Sequence, residues 1–179
     1  MPIGTNTSQS KQRRPATKAR SASSSQTKQQ DAIKLLMNDH DEVEALFKQF
    51  QKAKNNGRQK ADIVEQICQA LTVHAEIEEE IFYPAAREAL GEKGEDTMDE
   101  AEVEHGAIKG LVEQLQDASP DDEMYDAKVK VLCEYVTHHV KEEEGTMFPK
   151  IKKTDLDLDE LGTELMERKT ELMGEEQPE

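Results

Sequence analysis

The eleven residues His74–Pro84 (HAEIEEEIFYP) recur as His139–Pro149 (HVKEEEGTMFP), and this repetition constrains the fold more than any other feature of the chain. In each copy a histidine is followed four residues later by a glutamate, Glu78 or Glu143. That spacing stacks both side chains on one face of an α-helix. The same 65-residue offset maps His40 onto His105 and Cys68 onto Cys133, with nothing inserted between matched positions. Two helix pairs related in this way read as a duplicated α-hairpin, and two such hairpins form an up-down-up-down four-helix bundle.

The apolar pattern supports an all-α fold. Helix 1 starts after Asp31, a good N-cap, and carries Ile33, Leu36, His40, Val43, Phe47 and Phe50 at alternating steps of three and four. Gly57 and its neighbouring asparagines are expected to break it. Helix 2 repeats the alternation with Val64, Ile67, Leu71, His74, Glu78 and Ile81, and Pro84 predicts a kink or stop. Gly91 to Gly94 is the next turn. Helix 3 places Met98, Ala101, His105, Ile108, Val112 and Leu115 on its seam. Ser119-Pro120-Asp121 reads as the start of helix 4, which carries Tyr125, Val129, Leu132, Val136, His139 and Glu143 and is expected to end at Gly145 and Pro149. A shorter fifth helix, with Leu158, Leu161, Leu165, Met166, Leu172 and Met173, is expected to pack on the bundle, because an exposed stripe of that size invites aggregation. The organisation is therefore a tail (1–30), a bundle (31–150) and a C-terminal amphipathic helix (151–179).

Charge divides along the same lines. The net charge is −16, yet residues 1–30 contain six basic and no acidic side chains, leaving 17 basic against 39 acidic in the rest. The tail has too little apolar surface to offset its ordering entropy and is expected to be disordered. Nucleic acid is not an expected partner of the acidic domain, and only the tail could tether it. Two cysteines, no secretory leader and no span-length apolar run lead to the expectation of a cytoplasmic protein, with no membrane partner, that is a monomer or weak oligomer.

The most informative residues are His40, His74, Glu78, His105, His139 and Glu143, because they occupy seam places where Leu or Ile would ordinarily sit. A charged glutamate there costs several kcal/mol unless paired or coordinated. Counting at about 1.5 Å per residue brings the six to one height: His40 lies 17 residues before Gly57 and His74 lies 17 after it. Imidazoles with carboxylates suit iron, manganese or zinc, and bridging glutamates in a bundle core suit two ions better than one. Two iron ions are the expected cofactor.

These residues resemble the hemerythrin-like, or HHE cation-binding, family, whose pattern is a His on helix 1, His-x-x-x-Glu on helix 2, a His on helix 3 and His-x-x-x-Glu on helix 4. The resemblance covers about residues 31–150 and includes both Phe/Tyr-Pro endings. It implies a non-haem di-iron centre that binds dioxygen or a related small ligand such as NO or peroxide. Oxygen-carrying hemerythrins have a further His where this chain has Lys109, which implies an iron with an extra open position and moves the expectation from O₂ carriage towards sensing, storage or protection. The alternatives are a di-iron oxidoreductase consuming peroxide or NO, and a metal-stapled interaction module.

Several neighbours receive other roles. His138 aligns with Val73 and is read as a neighbour of the ligand His139, and Glu44 and Glu102 as surface charges. Glu79 and Glu144 are expected to face solvent unless they support a ligand. Tyr83 and Phe148 are expected to pack at the bundle end, and Cys68 and Cys133 to be small buried apolar residues.

Overall fold

The structure is a computed structural model that describes Met1, residues 31–53 and residues 56–175. Apart from Met1, the tail expected to be disordered lies outside the described residues, as do Lys54 and Asn55. Helix α1 (Ala32–Lys52) is capped by Asp31, whose carboxylate accepts the Lys34 N–H at 3.1 Å. Helix α2 (Gly57–Ile77) is capped by Asn56, which accepts the Gln59 N–H at 3.2 Å. Gly57 thus begins α2 and does not terminate α1.

Past α2 the helix widens for one π turn, Glu78–Phe82, and resumes as α3 (Tyr83–Leu90). Helix α4 (Glu95–Gln116) follows a tight turn at Gly91–Lys93. Helix α5 (Tyr125–Glu142) passes through a second π turn, Glu143–Met147, into the short α6 (Phe148–Ile151). Helix α7 (Leu158–Glu175) is the last described element. Among the described residues there is no strand, in agreement with the all-α expectation.

The two π turns correct the expected ends at Pro84, Gly145 and Pro149. A proline ring inside an α-helix meets the carbonyl four residues back. Directly before each proline the backbone inserts one residue, so that the Tyr83 N–H reaches the Glu78 carbonyl and the Phe148 N–H reaches that of Glu143, five residues back in each case. The rods therefore continue through Gly145 and both prolines. The inserted residue also rotates the seam: Ile81, expected to face inward, is only half-buried, and Phe82 is fully buried instead, edge-on to Phe148 at 5.7 Å.

Ser119-Pro120-Asp121 closes a turn and does not start a helix. The Asp122 carboxylate accepts the Ser119 N–H at 2.9 Å, and α5 begins only at Tyr125. In the α3–α4 connection Gly91 takes a left-handed conformation (φ 58°), and a Cβ on Gly94 would stand 2.6 Å from that of Leu90.

Helices α1 and α2 form one hairpin, α4 and α5 the other, with α2 against α4. Helix α7 lies against α1, α2 and the first π turn, with Leu161, Leu165 and Leu172 buried and Met173 left exposed. The apolar core is in two parts. One holds Ile33, Leu36, Ile77, Phe82, Met98 and Phe148 together with the α7 leucines; the other holds Val43, Phe47, Ile67, Leu71, Ile108, Leu132 and Val136. The sequence positions of the seam histidines fall between the two.

Candidate metal centre

All six seam residues converge in this layer. Helix α1 supplies His40, α2 His74, α4 His105 and α5 His139, while Glu78 and Glu143 are the first residues of the two π turns. Both glutamates are fully buried, and the histidines are 2–6% exposed. His40 and His74 bring their Nε2 atoms within 3.2 Å of each other, and His105 and His139 within 3.0 Å. Each carboxylate spans the two pairs. Glu78 Oε2 lies 3.3 Å from His74 Nε2 and 3.4 Å from His105 Nε2. Glu143 Oε2 lies 3.2 Å from His40 Nε2 and 3.5 Å from His139 Nε2.

The far side of every ring meets another carboxylate. His40 Nδ1 is 2.9 Å from Glu144, His105 Nδ1 is 2.9 Å from Glu79, and His139 Nδ1 is 2.8 Å from Glu104. His74 Nδ1 faces Asp39 Oδ2 at a longer 3.6 Å. An ionised carboxylate can only accept, so Nδ1 of His40, His105 and His139 carries its hydrogen outward, and in the neutral form each of these rings turns its Nε2 lone pair inward. Lone pairs facing one another at 3.0–3.2 Å repel unless a proton or cation sits among them. Glu78 Oε1, Glu143 Oε2, His74 Nδ1 and Asp39 Oδ2, all buried, have no hydrogen-bond partner. The donors fall into two overlapping groups, His40–His74–Glu78–Glu143 and Glu78–His105–His139, each with its ligand atoms within 4.8 Å of one another. The residues therefore fit a pair of cations that share Glu78.

Without cations the groups neutralise one another through protons. Burial resists charging His40, but its close contact with Glu143 and the charges of Glu143 and Glu78 raise it to about 9. Burial, reinforced by the charge of Glu143, pushes Glu78 up to about 7. Burial also opposes ionisation of Glu143, and the imidazoles around it, His40 first, overcome that and hold it below the usual carboxylate range.

Glu79 and Glu144 take the supporting place that the sequence left open to them, each bonded to a histidine of the layer. Tyr83 and Cys133 are placed other than expected. Tyr83 does not merely pack. Its buried hydroxyl donates to Glu143 Oε1 at 2.9 Å and stands 3.2 Å from His105 Nε2, inside the ligand layer. Burial, then the two glutamate charges, raise its pKa well above the ordinary phenol value, so it stays a donor. Cys133 is only half-buried, unlike Cys68. Phe148, at the matching position, stacks its plain ring against His40 at 6.0 Å.

Sequence periodicity alone assigns no role to Asp39 or Glu104, although the 65-residue offset maps one onto the other and each directly precedes a seam histidine. Lys109 turns its ammonium to Glu79 Oε2 at 2.6 Å. His138 is exposed, reaches Glu104 at 3.2 Å and lies outside the layer of six. Glu44 pairs with Lys48 and Glu102 with Arg87 on the surface.

A small cavity of about 20 Å³ adjoins the four imidazoles, walled by Val43, Leu71, Ile108 and Val136. The larger opening of about 630 Å³ between α1 and α5, lined by Phe47, Phe50, Val129 and Cys133, contains none of the six residues.

Comparison with known proteins agrees with this geometry. A solved structure of a hemerythrin HHE cation binding domain-containing protein from Mycobacterium kansasii superposes with a TM-score of 0.70 at 23% identity, covering 82% of this chain and 89% of that one, and so shares the fold. A curated relative, a DNA nickase from Nostoc sp. (strain PCC 7120), is 37% identical over 123 residues, 69% of this chain; the match spans only 33% of the relative. The family model of the hemerythrin HHE cation binding domain matches residues 31–151. The repeated His-x-x-x-Glu phrases, the layer they build and this match lead to one conclusion: the chain belongs to the hemerythrin HHE cation-binding family.

Proposed function

We propose that the six residues hold two iron ions and that the protein binds O₂, or a related small ligand such as NO or peroxide, for sensing, storage or protection in the cytoplasm. The observation that carries this reading is that two buried carboxylates each span both imidazole pairs. Glu78 and Glu143 each place one oxygen between an imidazole of the first pair and an imidazole of the second, an arrangement suited to two ions sharing carboxylates. Bound iron would supply reversible ligation of a small oxidant or diatomic molecule.

The chain's own residues define what such a ligand meets. The outward Nδ1–H bonds to Glu144, Glu79 and Glu104 fix the ring orientations. The apolar cavity beside the rings has room for about one water-sized molecule, which favours a diatomic ligand over a larger substrate. Phe82 and Phe148 keep bulk water from the layer. Residues 31–179 carry 17 basic against 39 acidic side chains, a field that repels a phosphodiester backbone. The DNA nicking named for the Nostoc relative therefore does not follow from the shared region.

Purification from iron-supplemented cells, with metal counting and an absorption spectrum of the air-exposed protein before and after azide, tests the reading. About two irons per chain and an azide-dependent band support it. Full iron retention after His74→Ala and His139→Ala removes it. A second reading, turnover of peroxide or NO, draws on the Tyr83 hydroxyl, a proton donor already inside the layer. A turnover rate no better than that of free iron salts eliminates it.

A further inference from the structure

The duplicated hairpins treat their outer carboxylates differently. Glu104, which holds His139, is steadied within its own hairpin by His138, 3.2 Å from its other oxygen. The matching position in the first hairpin is Val73, which is apolar and buried. Asp39, which faces His74, therefore has no counterpart to His138.

Helix α7, which lies outside the repeat, supplies a partner for Asp39 instead. Lys169 Nζ stands 2.6 Å from Asp39 Oδ1. Burial resists ionisation of Asp39, but the His74 and Lys169 contacts outweigh it and hold the carboxyl below its ordinary range. One residue earlier, the Arg168 guanidinium grips Glu80 in the first π turn, with Nε to Oε2 at 2.7 Å and Nη2 to Oε1 at 3.2 Å. Leu161, Leu165 and Leu172 seat the helix in the core half that also holds Val73, Ile77 and Phe82. The same stretch of α7 thus holds the carboxylate behind His74 and the turn that presents Glu78.

We propose that Lys169 is a positioning residue of the metal centre: acting through Asp39 it orients His74, sets the metal affinity of the His40–His74 position, and makes the docking of α7 and the filling of that position mutually dependent. The inference rests on the metal-binding reading above. Residues that orient a ligand from behind are commonly worth 10–100-fold in metal affinity. Asp39 Oδ2 and His74 Nδ1 face one another at 3.6 Å without a hydrogen bond, unlike the three equivalent pairs at 2.8–2.9 Å, so Asp39 is held by Lys169 and not by the ring it faces. If metal binding favours the docked helix, docking must favour metal binding to the same extent.

Cobalt(II) titration of the full chain, followed by its visible absorption, tests this in wild type, Lys169→Met, Lys169→Arg and Lys109→Met. Wild type is expected to take up two ions. Lys169→Met, with unchanged helix content, should bind one of them about 10-fold more weakly with an altered spectrum, and Lys169→Arg should restore both. Lys109→Met, which frees the carboxylate behind His105, should weaken the other ion. In wild type, hydrogen exchange of the α7 amides should slow when cobalt is added. A Lys169→Met isotherm and spectrum identical to wild type overturns the proposal, as does equal weakening of both positions without rescue by arginine. Should Lys169→Met fail to fold, α7 exchange in wild type that ignores cobalt overturns it as well. A wild type that binds no cobalt sinks the metal-binding reading itself, a result separable from the others.

Discussion

The Tyr83 hydroxyl donates to Glu143 Oε1 across 2.9 Å, joining the end of the first hairpin's long rod to the carboxylate of the second. Its counterpart, Phe148, has no hydroxyl to do the same. The duplicated centre is therefore asymmetric at this point, with an extra polar donor beside His105 and an apolar ring beside His40.

Tyr83→Phe should make the two halves alike. The metal-free protein is expected to lose about 1–2 kcal/mol in a urea titration, because a buried carboxylate oxygen loses its donor. Metal uptake should persist, while the azide difference spectrum shifts. A spectrum identical to wild type would show that the hydroxyl does not reach a bound ligand.

Glu78→Gln should separate binding from stability. The amide cannot carry the shared charge, so metal content is expected to fall below about one ion per chain. The metal-free variant should be as stable as wild type or more stable by about 1–3 kcal/mol, since a fully buried carboxylate beside another is replaced by a neutral group. Metal counting and chemical denaturation of the same preparation check both signs.

Chelation should lower the melting temperature. A ligand at 100 times its Kd adds about 2.7 kcal/mol, and in a protein of this size each kcal/mol moves the midpoint by roughly 2–4 °C. A difference of at least about 5 °C between loaded and chelated protein is expected by calorimetry. Coincident melting curves would contradict a metal held in the core.

The thiols should react in a fixed order. Burial pushes the Cys68 thiol up to about 11 and also raises Cys133, which is only half-buried at the wide opening between α1 and α5. At pH 8 on the order of one in a thousand Cys68 thiols is ionised, and the fraction grows about tenfold per pH unit until about 11. An alkylating reagent at pH 8 is therefore expected to modify Cys133 first and Cys68 only after unfolding. Mass spectrometry of timed samples reads the order, and equal labelling would refute it.

What could be read along the chain was whatever the repeat and the helical period carry. His40, His74, Glu78, His105, His139 and Glu143 were legible because polar groups on an apolar seam stand out and because the 65-residue offset pairs them. The seams of α1 and α4 were legible for the same reason. The shift from Ile81 to Phe82 was not, because a one-residue π insertion breaks no pattern that a short window can register, and only Pro84 hinted at it.

Alone, the sequence determined the helices, their order and the six residues that share a layer, since these follow from local periodicity and equal helix lengths. Tertiary structure decided which groups stand behind that layer. Asp39, Glu104, Glu79 and Glu144 sit beside the seam, and their side chains reach a neighbouring helix only once the helices are packed. Tyr83 enters the site because the π turn rotates it inward, and Lys169 meets Asp39 across 130 residues of chain because α7 docks on α1 and α2. Contacts between elements depend on rotation and lateral packing, and neither leaves a period in the sequence.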